Sequence, residues 1–350
     1  MSRPLFRPGA MCGLRFLVLA LLWLPPALVH ADITAARAAL RSKDYAAALR
    51  EFREAAAQGD RVAENNLGVM HYQGLGVERD YAQAVRWFKL AADHGLAGAQ
   101  YNLGMAYLRG HGVDKSAREA VRWLEKAAAQ GDREAQFQLG VRYFLGEGVA
   151  RDYPQAHDWF ARAAVQNLGS AQYNLGILYA KGLGVKADPV AANTWFMRAA
   201  DQGNPDAQYT LGVYYLEGRE LKQDDARAFE WFSKSAAQGV RRAQLNLGML
   251  YVAGRGVAAD PVQGADWIHR AAEQGFNAAQ YNLGLLYYGG VGVGKDLVQA
   301  YAWFDASVAG GMNIAREKRD ALAGQLPPGQ LAEAQRLSQQ YLEKYGSSGD

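Results

Sequence analysis

The hexapeptide AQYNLG occurs three times in this 350-residue chain, beginning at Ala99, Ala171 and Ala279. The copies are separated by 72 and 108 residues, and both intervals are multiples of 36. When the chain is divided at this period from Ala63, seven repeats of 36 residues align without a gap. A period of this length is typical of helical solenoids, in which each repeat is one supersecondary element that stacks on its neighbours.

Residues that recur at helical spacing mark a first helix in each repeat. The fifth position is always leucine and the sixth always glycine, from Leu67-Gly68 to Leu283-Gly284. An aromatic residue follows the leucine by four positions in six repeats, and His71 takes this position in the first. Spacings of four place these residues on one helix face. Because a glycine inside a helix costs about 1 kcal/mol relative to alanine, its recurrence predicts a second helix crossing there at close range.

A glycine-rich turn and a second helix complete each repeat. The G-x-G-V turn supplies residues that tolerate positive φ. A residue with a short polar side chain then stands where an N-cap is needed; these residues are Asp80, Ser116, Asp152, Asp188, Asp224, Asp260 and Asp296. The second helix is expected to end at a left-handed glycine, or at Asn167 in repeat three. Its tryptophans share one phase, which favours packing over sugar stacking; they are Trp87, Trp123, Trp159, Trp195, Trp231, Trp267 and Trp303.

These patterns predict an all-α protein, a right-handed alpha-solenoid of seven 36-residue helical hairpins with N- and C-terminal capping helices. Residues 32–62 are expected to form an N-terminal capping half-repeat, because the phase continues upstream to Asp44. Residues 315–350 are expected to form C-terminal capping helices and a tail, because Arg319 and Asp320 replace the leucine and glycine. The predicted repeats are 63–98, 99–134, 135–170, 171–206, 207–242, 243–278 and 279–314.

Residues 1–31 have the layout of a secretory signal peptide. Three arginines provide a positive charge, an apolar run covers residues 16–24, and small residues precede Asp32. The run is shorter than the roughly 20 apolar residues that a membrane span requires. We therefore expect cleavage before Asp32 and an exported protein, periplasmic or secreted, with no membrane insertion afterwards. A retained anchor is the alternative, and Met11 is an alternative start.

Composition and motifs argue against several classes of function. Without residues 1–31, which contain three of the 38 basic residues, 35 basic residues face 35 acidic ones, so net charge does not favour nucleic acid binding. The one cysteine, Cys12, lies in the predicted signal peptide, and the remaining histidines form no metal-binding pair at helical spacing. The segment Gly289–Lys295 matches the core of a phosphate-binding loop. However, Asp296 stands where serine or threonine would bind magnesium, and the segment follows a predicted helix. We predict no catalytic residue, cofactor or metal.

The repeated residues resemble those of the Sel1-like repeat family, relatives of the tetratricopeptide repeats. The shared pattern is A-x-x-x-L-G-x-x-Y, then G-x-G-V-x-x-D, then A-x-x-W-F/Y-x-x-A-A-x-x-G. Repeat four follows it throughout, whereas Glu220 replaces the second turn glycine in repeat five. The resemblance implies a non-enzymatic scaffold or adaptor that binds a protein partner or peptide segment in the bacterial periplasm or outside the cell. It would regulate or assemble an envelope or host-interaction complex.

Exported relatives suggest two alternative functions. One is binding or hydrolysis of beta-lactams, although the relatives concerned carry paired cysteines that this chain lacks. The other is a scaffold for polysaccharide export. Whichever of these functions applies, including the scaffold, we expect a monomer.

A partner is expected to bind where the repeats differ, because packing occupies the fixed positions. The eighth position, on the first helix, varies most among the repeats. Since arginine and aromatic side chains are favoured as binding anchors, Arg142 and Tyr214 are the leading candidates. The full set of candidate protein-binding residues is Arg142, Leu178, Tyr214, Leu250 and Leu286. The alternative for the apolar members is packing against the next hairpin.

Overall fold

The structure, a computed structural model, describes residues 31–345 and contains α-helices but no strands in that range. The predicted signal peptide lies outside the described residues apart from Ala31, as do the last five residues of the tail. The helices are α1 (Ala31–Arg41), α2 (Tyr45–Ala57), α3 (Arg61–Gln73), α4 (Tyr81–Asp93), α5 (Ala97–Arg109), α6 (Ala117–Ala129), α7 (Arg133–Leu145), α8 (Tyr153–Ala164), α9 (Gly169–Lys181), α10 (Pro189–Asp201), α11 (Pro205–Glu217), α12 (Asp225–Ala237), α13 (Arg241–Ala253), α14 (Pro261–Glu273), α15 (Asn277–Gly289), α16 (Leu297–Ala309), α17 (Asn313–Ala323) and α18 (Pro328–Tyr345).

The helices from α3 to α16 form seven hairpins, which confirms the predicted all-α solenoid. Within residues 31–345, backbone contacts define two compact units. One contains the residues up to 168 together with 183–185, and the other contains residues 169–182 together with those from 186. Within each unit, every second helix packs against its own first helix and against the first helix of the following repeat in that unit. This stacking buries the apolar faces that a single hairpin would leave exposed.

The repeated leucines and glycines lie where the two helices of a hairpin meet. The seven leucines at the fifth position are at most 1% exposed. A Cβ added to Gly68 would lie 2.5 Å from the ring of Phe88 on the second helix, and one added to Gly140 would lie equally close to Phe160. The predicted close crossing is therefore confirmed, and it explains why glycine is retained despite its low helix propensity.

The predicted helix caps are also confirmed. All seven predicted N-cap side chains accept a hydrogen bond from a backbone N–H of the first helical turn, as Asp188 does from Ala191 at 2.9 Å. The glycines that follow the second helices have φ between 69° and 92°, and Asn167 has φ 60°. Glu220 adopts φ 57° in place of a turn glycine. This backbone conformation costs an L-residue roughly 1–2 kcal/mol.

Additional helices cover both ends of the array. At the N-terminal end, α1 pairs with α2, and the side chains of Ile33 and Phe52 are buried between them. At the C-terminal end, α17 packs against α16 in the place of a next first helix, and α18 returns along α16. The Tyr341 ring stacks on Trp303 with centroids 4.1 Å apart, and Trp303 is 0% exposed.

Candidate protein-binding surfaces

The structure places the three predicted leucines in apolar cores. Leu178 is 0% exposed, Leu250 is 3% exposed and Leu286 is 7% exposed. Leu250 and Leu286 belong to the clusters in which first and second helices of the second compact unit meet. These side chains pack against neighbouring helices, as the alternative interpretation of the eighth position predicts. Almost none of their surface is accessible to a partner.

Arg142 holds the same position in repeat three, within the first compact unit. Its side chain is only 13% exposed, and its guanidinium Nη1 lies 2.8 Å from Glu147 Oε2 in the following turn. Its Nε atom is buried without a hydrogen-bond partner among the described residues. Burial lowers the pKa of the Arg142 guanidinium, while the Glu147 carboxylate acts in the opposite direction. Arg142 is thus a charged group at a core position, with one ion-pair partner that is itself 51% exposed.

Tyr214 holds the eighth position in repeat five, within the second compact unit. Its half-buried ring meets the Phe196 ring edge-on, with centroids 6.1 Å apart. Burial first, and then the nearby Glu220 carboxylate, raises the pKa of the Tyr214 phenol. The side chain therefore combines a packed ring with an uncharged hydroxyl group, a combination that is common at protein interfaces.

A second candidate surface, within each compact unit, is formed by the tryptophan-bearing faces of the second helices, their outer faces. Only Trp231 and Trp303 among the repeated tryptophans are buried, and the other five are half-buried. In five repeats a lysine or arginine three residues later lies over the indole, with 3.9–4.7 Å between the charged group and the ring centroid. Such cation–π contacts contribute about 0.5–1 kcal/mol at exposed sites. The sequence predicted that the tryptophans pack, but we did not expect the cations that cover them.

Paired glutamines connect the two helices of one repeat, and one member also bonds to the preceding repeat, a feature that sequence analysis missed. The buried Gln100 donates from Nε2 to the Ala92 carbonyl at 3.2 Å and accepts from Gln130 Nε2 at 2.7 Å. The same glutamine pair recurs as Gln136 with Gln166, Gln208 with Gln238, and Gln244 with Gln274. Glutamine at the second and thirty-second positions of most repeats was the available signal. The pairs satisfy buried polar groups, so their role is structural.

Repeat one replaces this glutamine pair with two ionisable residues. Glu64, only 1% exposed, takes the second position, and its Oε2 lies 2.9 Å from His94 Nδ1. The Arg61 guanidinium donates to the His94 carbonyl at 3.2 Å. The link between neighbouring helices is therefore kept at this end of the array with different chemistry.

The segment Gly289–Lys295 begins at the last residue of α15 and continues through the turn that leads to α16. Gly290 and Gly292 have φ of 68° and 70°, as expected for the repeat's own turn. Over residues 31–345, no three or more His, Cys, Asp or Glu side chains are grouped in a way that could hold a metal ion. In the same range, every helix is too short or too polar to cross a membrane.

Comparison with known families matches the helical repeats directly. A model of the Sel1 repeat matches seven segments, each starting two residues before the alanine that opens a predicted repeat. The matched segments are residues 61–96, 97–132, 133–167, 169–204, 205–240, 241–276 and 277–312.

Two solved structures are similar to this chain. A Sel1 repeat protein from Oxalobacter formigenes is 31% identical, with 83% of this chain and 86% of that protein covered and a TM-score of 0.66. A protective antigen present in uropathogenic Escherichia coli strains, which displays an SLR fold, is 33% identical over 90% of this chain and 85% of its own, with a TM-score of 0.44. A search of curated proteins found no match.

Proposed function

Since the chain belongs to the Sel1 repeat family, we propose that it is a non-enzymatic scaffold that holds a protein partner in the bacterial periplasm or outside the cell. Sel1 repeat proteins are generally protein-interaction scaffolds. Stacked helical hairpins present extended surfaces on which a peptide or protein segment can lie. The partner would belong to an envelope or host-interaction complex.

The observation that carries the proposal is the placement of Arg142. Repeats four, six and seven fill the same position with a buried leucine. Replacing a buried ion pair by apolar residues is often neutral or stabilising, so packing alone does not explain an arginine there. Sites where local stability is sacrificed are commonly functional. Arginine is also among the residues most favoured as an anchor in protein interfaces.

The proposed location is supported by the N-terminal sequence. The arginines, the short apolar run and the small residues before Asp32 follow the order of a secretory signal peptide. A protein released in this way would have equal numbers of acidic and basic residues. Recognition of a partner would then depend on local side chains more than on net charge.

Affinity capture from envelope extract tests the proposal. The full chain with a C-terminal tag is expressed, its N-terminus is sequenced after fractionation, and proteins that copurify are compared with those retained by the tag alone. We expect a mature N-terminus at Asp32 and a specific protein in stoichiometric amount. If no protein is enriched over the tag, the scaffold function is rejected. Envelope protein that keeps residues 1–31 would reject the proposed cleavage.

A further inference from the structure

The outer faces of the second helices differ in two respects: whether a cation lies over the tryptophan, and, where none does, whether another helix covers the face. In repeats two to six, the residue three positions after the tryptophan is a cation lying over the indole; these residues are Lys126, Arg162, Arg198, Lys234 and Arg270. In these repeats the charged side chain covers part of the ring and keeps the face polar. Repeats one and seven have an apolar residue instead, Leu90 and Ala306.

In repeat seven, the cation-free face is covered by a helix of the same chain. Ala306 is 5% exposed and belongs, with Trp303, to a cluster that includes Tyr341, Leu342 and Tyr345 of α18. Tyr341 stacks on Trp303, and Tyr345, one helical turn later, stacks beside it with centroids 5.8 Å apart. The Tyr341 hydroxyl donates to Gln299 Oε1 at 2.7 Å, so the polar end of this ring is also satisfied. The chain therefore covers its own cation-free face with a helix whose aromatic residues are one turn apart.

In repeat one, the corresponding face on α4 is accessible. Leu90 is 41% exposed, and Trp87 is half-buried against the core of the first hairpins. Arg86 and Lys89 lie beside them on the same helix, are exposed, and form no ion pair among the described residues. Trp87 and Leu90 lie beside these two cations, and Asp93 is the exposed acid on the following turn of the helix, so the net positive face complements an apolar stripe flanked by acids.

We propose that the outer face of α4, formed by Arg86, Trp87, Lys89 and Leu90, docks an amphipathic helix of the protein partner. That helix would carry an aromatic residue for Trp87 and acidic residues for Arg86 and Lys89. Stacking on the indole and burial of Leu90 would supply the apolar contacts, in the manner of α18 on α16. This inference rests on the proposed scaffold function and names the chemistry of the partner.

The test uses an 18-residue peptide based on α18. The exposed Arg336 and Lys344 are replaced by glutamate, which removes the contact of Lys344 with the Tyr345 ring but leaves both tyrosines in place. The full-length protein keeps its own α18 on Trp303, so α4 is the cation-free face open to the added peptide. Binding is measured by fluorescence anisotropy of the labelled peptide. A second peptide, with Tyr341→Ala and Tyr345→Ala, is the control for stacking.

Leu90→Arg is the decisive protein variant, because it gives repeat one the residue type that five other repeats already accommodate. We expect the acidic peptide to bind the wild type and to lose about tenfold or more in affinity for Leu90→Arg. General charge attraction predicts the opposite, since the variant gains a positive charge. Val262→Arg, which adds the same charge at an exposed apolar residue of α14, should keep the wild-type affinity.

Three results would overturn the docking face: no peptide binding to the wild type, equal binding to Leu90→Arg, or equal binding of the peptide without tyrosines. Failure of the scaffold function gives a different pattern, in which the peptide binds as expected but no protein is captured from envelope extract. Conversely, Leu90→Arg could fail to bind the peptide and still capture an envelope protein as well as the wild type does. That result would reject this face as the docking site and keep the scaffold function.

Discussion

The ring of Phe196 fills the space that any side chain at Gly176 would need. A Cβ at Gly176 would lie 2.6 Å from Cε1 of Phe196, closer than packed carbon atoms approach. The same relation joins Gly212 to Phe232 and, with an aliphatic partner, Gly248 to Ile268. The sixth-position glycine is therefore required by the residue opposite it on the second helix.

Gly176→Leu should destabilise the protein by at least about 1–3 kcal/mol, because overpacking forces the crossing helices apart. Urea denaturation followed by circular dichroism measures this. Gly98→Ala is the matched control, since Gly98 is helical and an added Cβ meets nothing within 4 Å. That change should stabilise by about 0.4–1 kcal/mol. Similar midpoints for the two variants would contradict the close crossing.

Leu175→Ala should cost about 2–5 kcal/mol, because the side chain is 1% exposed and its removal leaves a cavity. Val190→Ala is the control, since Val190 is 76% exposed and surface changes usually stay within about 0.5 kcal/mol. Thermal unfolding of both variants checks the expectation. If Leu175→Ala melts with the parent protein, the assignment of the fifth position to the core is wrong.

Asp132→Asn should change the pH dependence of stability. Asp132 caps α7 by accepting from the Ala135 N–H at 2.8 Å, and burial raises the pKa of its carboxyl group above the usual value for aspartate. Since the folded-state pKa is the higher one, the folded protein loses stability as the pH rises through the interval between the two pKa values. Asparagine keeps the cap without this loss, as Asn204 does for α11 with a 2.9 Å bond.

We therefore expect the melting temperature of Asp132→Asn, relative to the wild type, to increase as the pH is raised from about 3.8 to neutrality. Calorimetric scans across this range measure the difference. A constant difference at every pH would show that the carboxyl group titrates identically in the folded and unfolded chains.

The structural role of a repeat position could be predicted from the sequence where that role has a local physical cause. N-caps, left-handed glycines and the Leu–Gly pair are each determined by neighbouring residues or by recurrence across repeats. The roles of the eighth position and of the paired glutamines depend on how one hairpin is rotated against the next. Leu178 is 0% exposed and Gln100 is 5% exposed only because neighbouring helices cover them. Periodicity along one helix does not determine that rotation.

Arg142 occupies a position that is filled by leucine in three other repeats. Arg142→Leu should stabilise the protein by about 1 kcal/mol, since it removes a partly desolvated ion pair and fills the site with apolar atoms. If the arginine is retained as a binding anchor, the same change should weaken partner capture about tenfold or more. A scaffold residue kept only for packing cannot give both results.

Tyr214→Leu tests the second anchor in the same way. Leucine is chosen because repeats four, six and seven accommodate it at this position. Alanine would leave a gap beside Phe196, which the Tyr214 ring contacts. Melting temperatures and captured partner are measured together for both leucine variants and for the double variant. Full capture by a double variant that is as stable as the wild type would remove the eighth position from the binding surface. In that case the outer faces of the second helices, with Trp87 and Leu90 as the cation-free site, would be the remaining candidate on this chain.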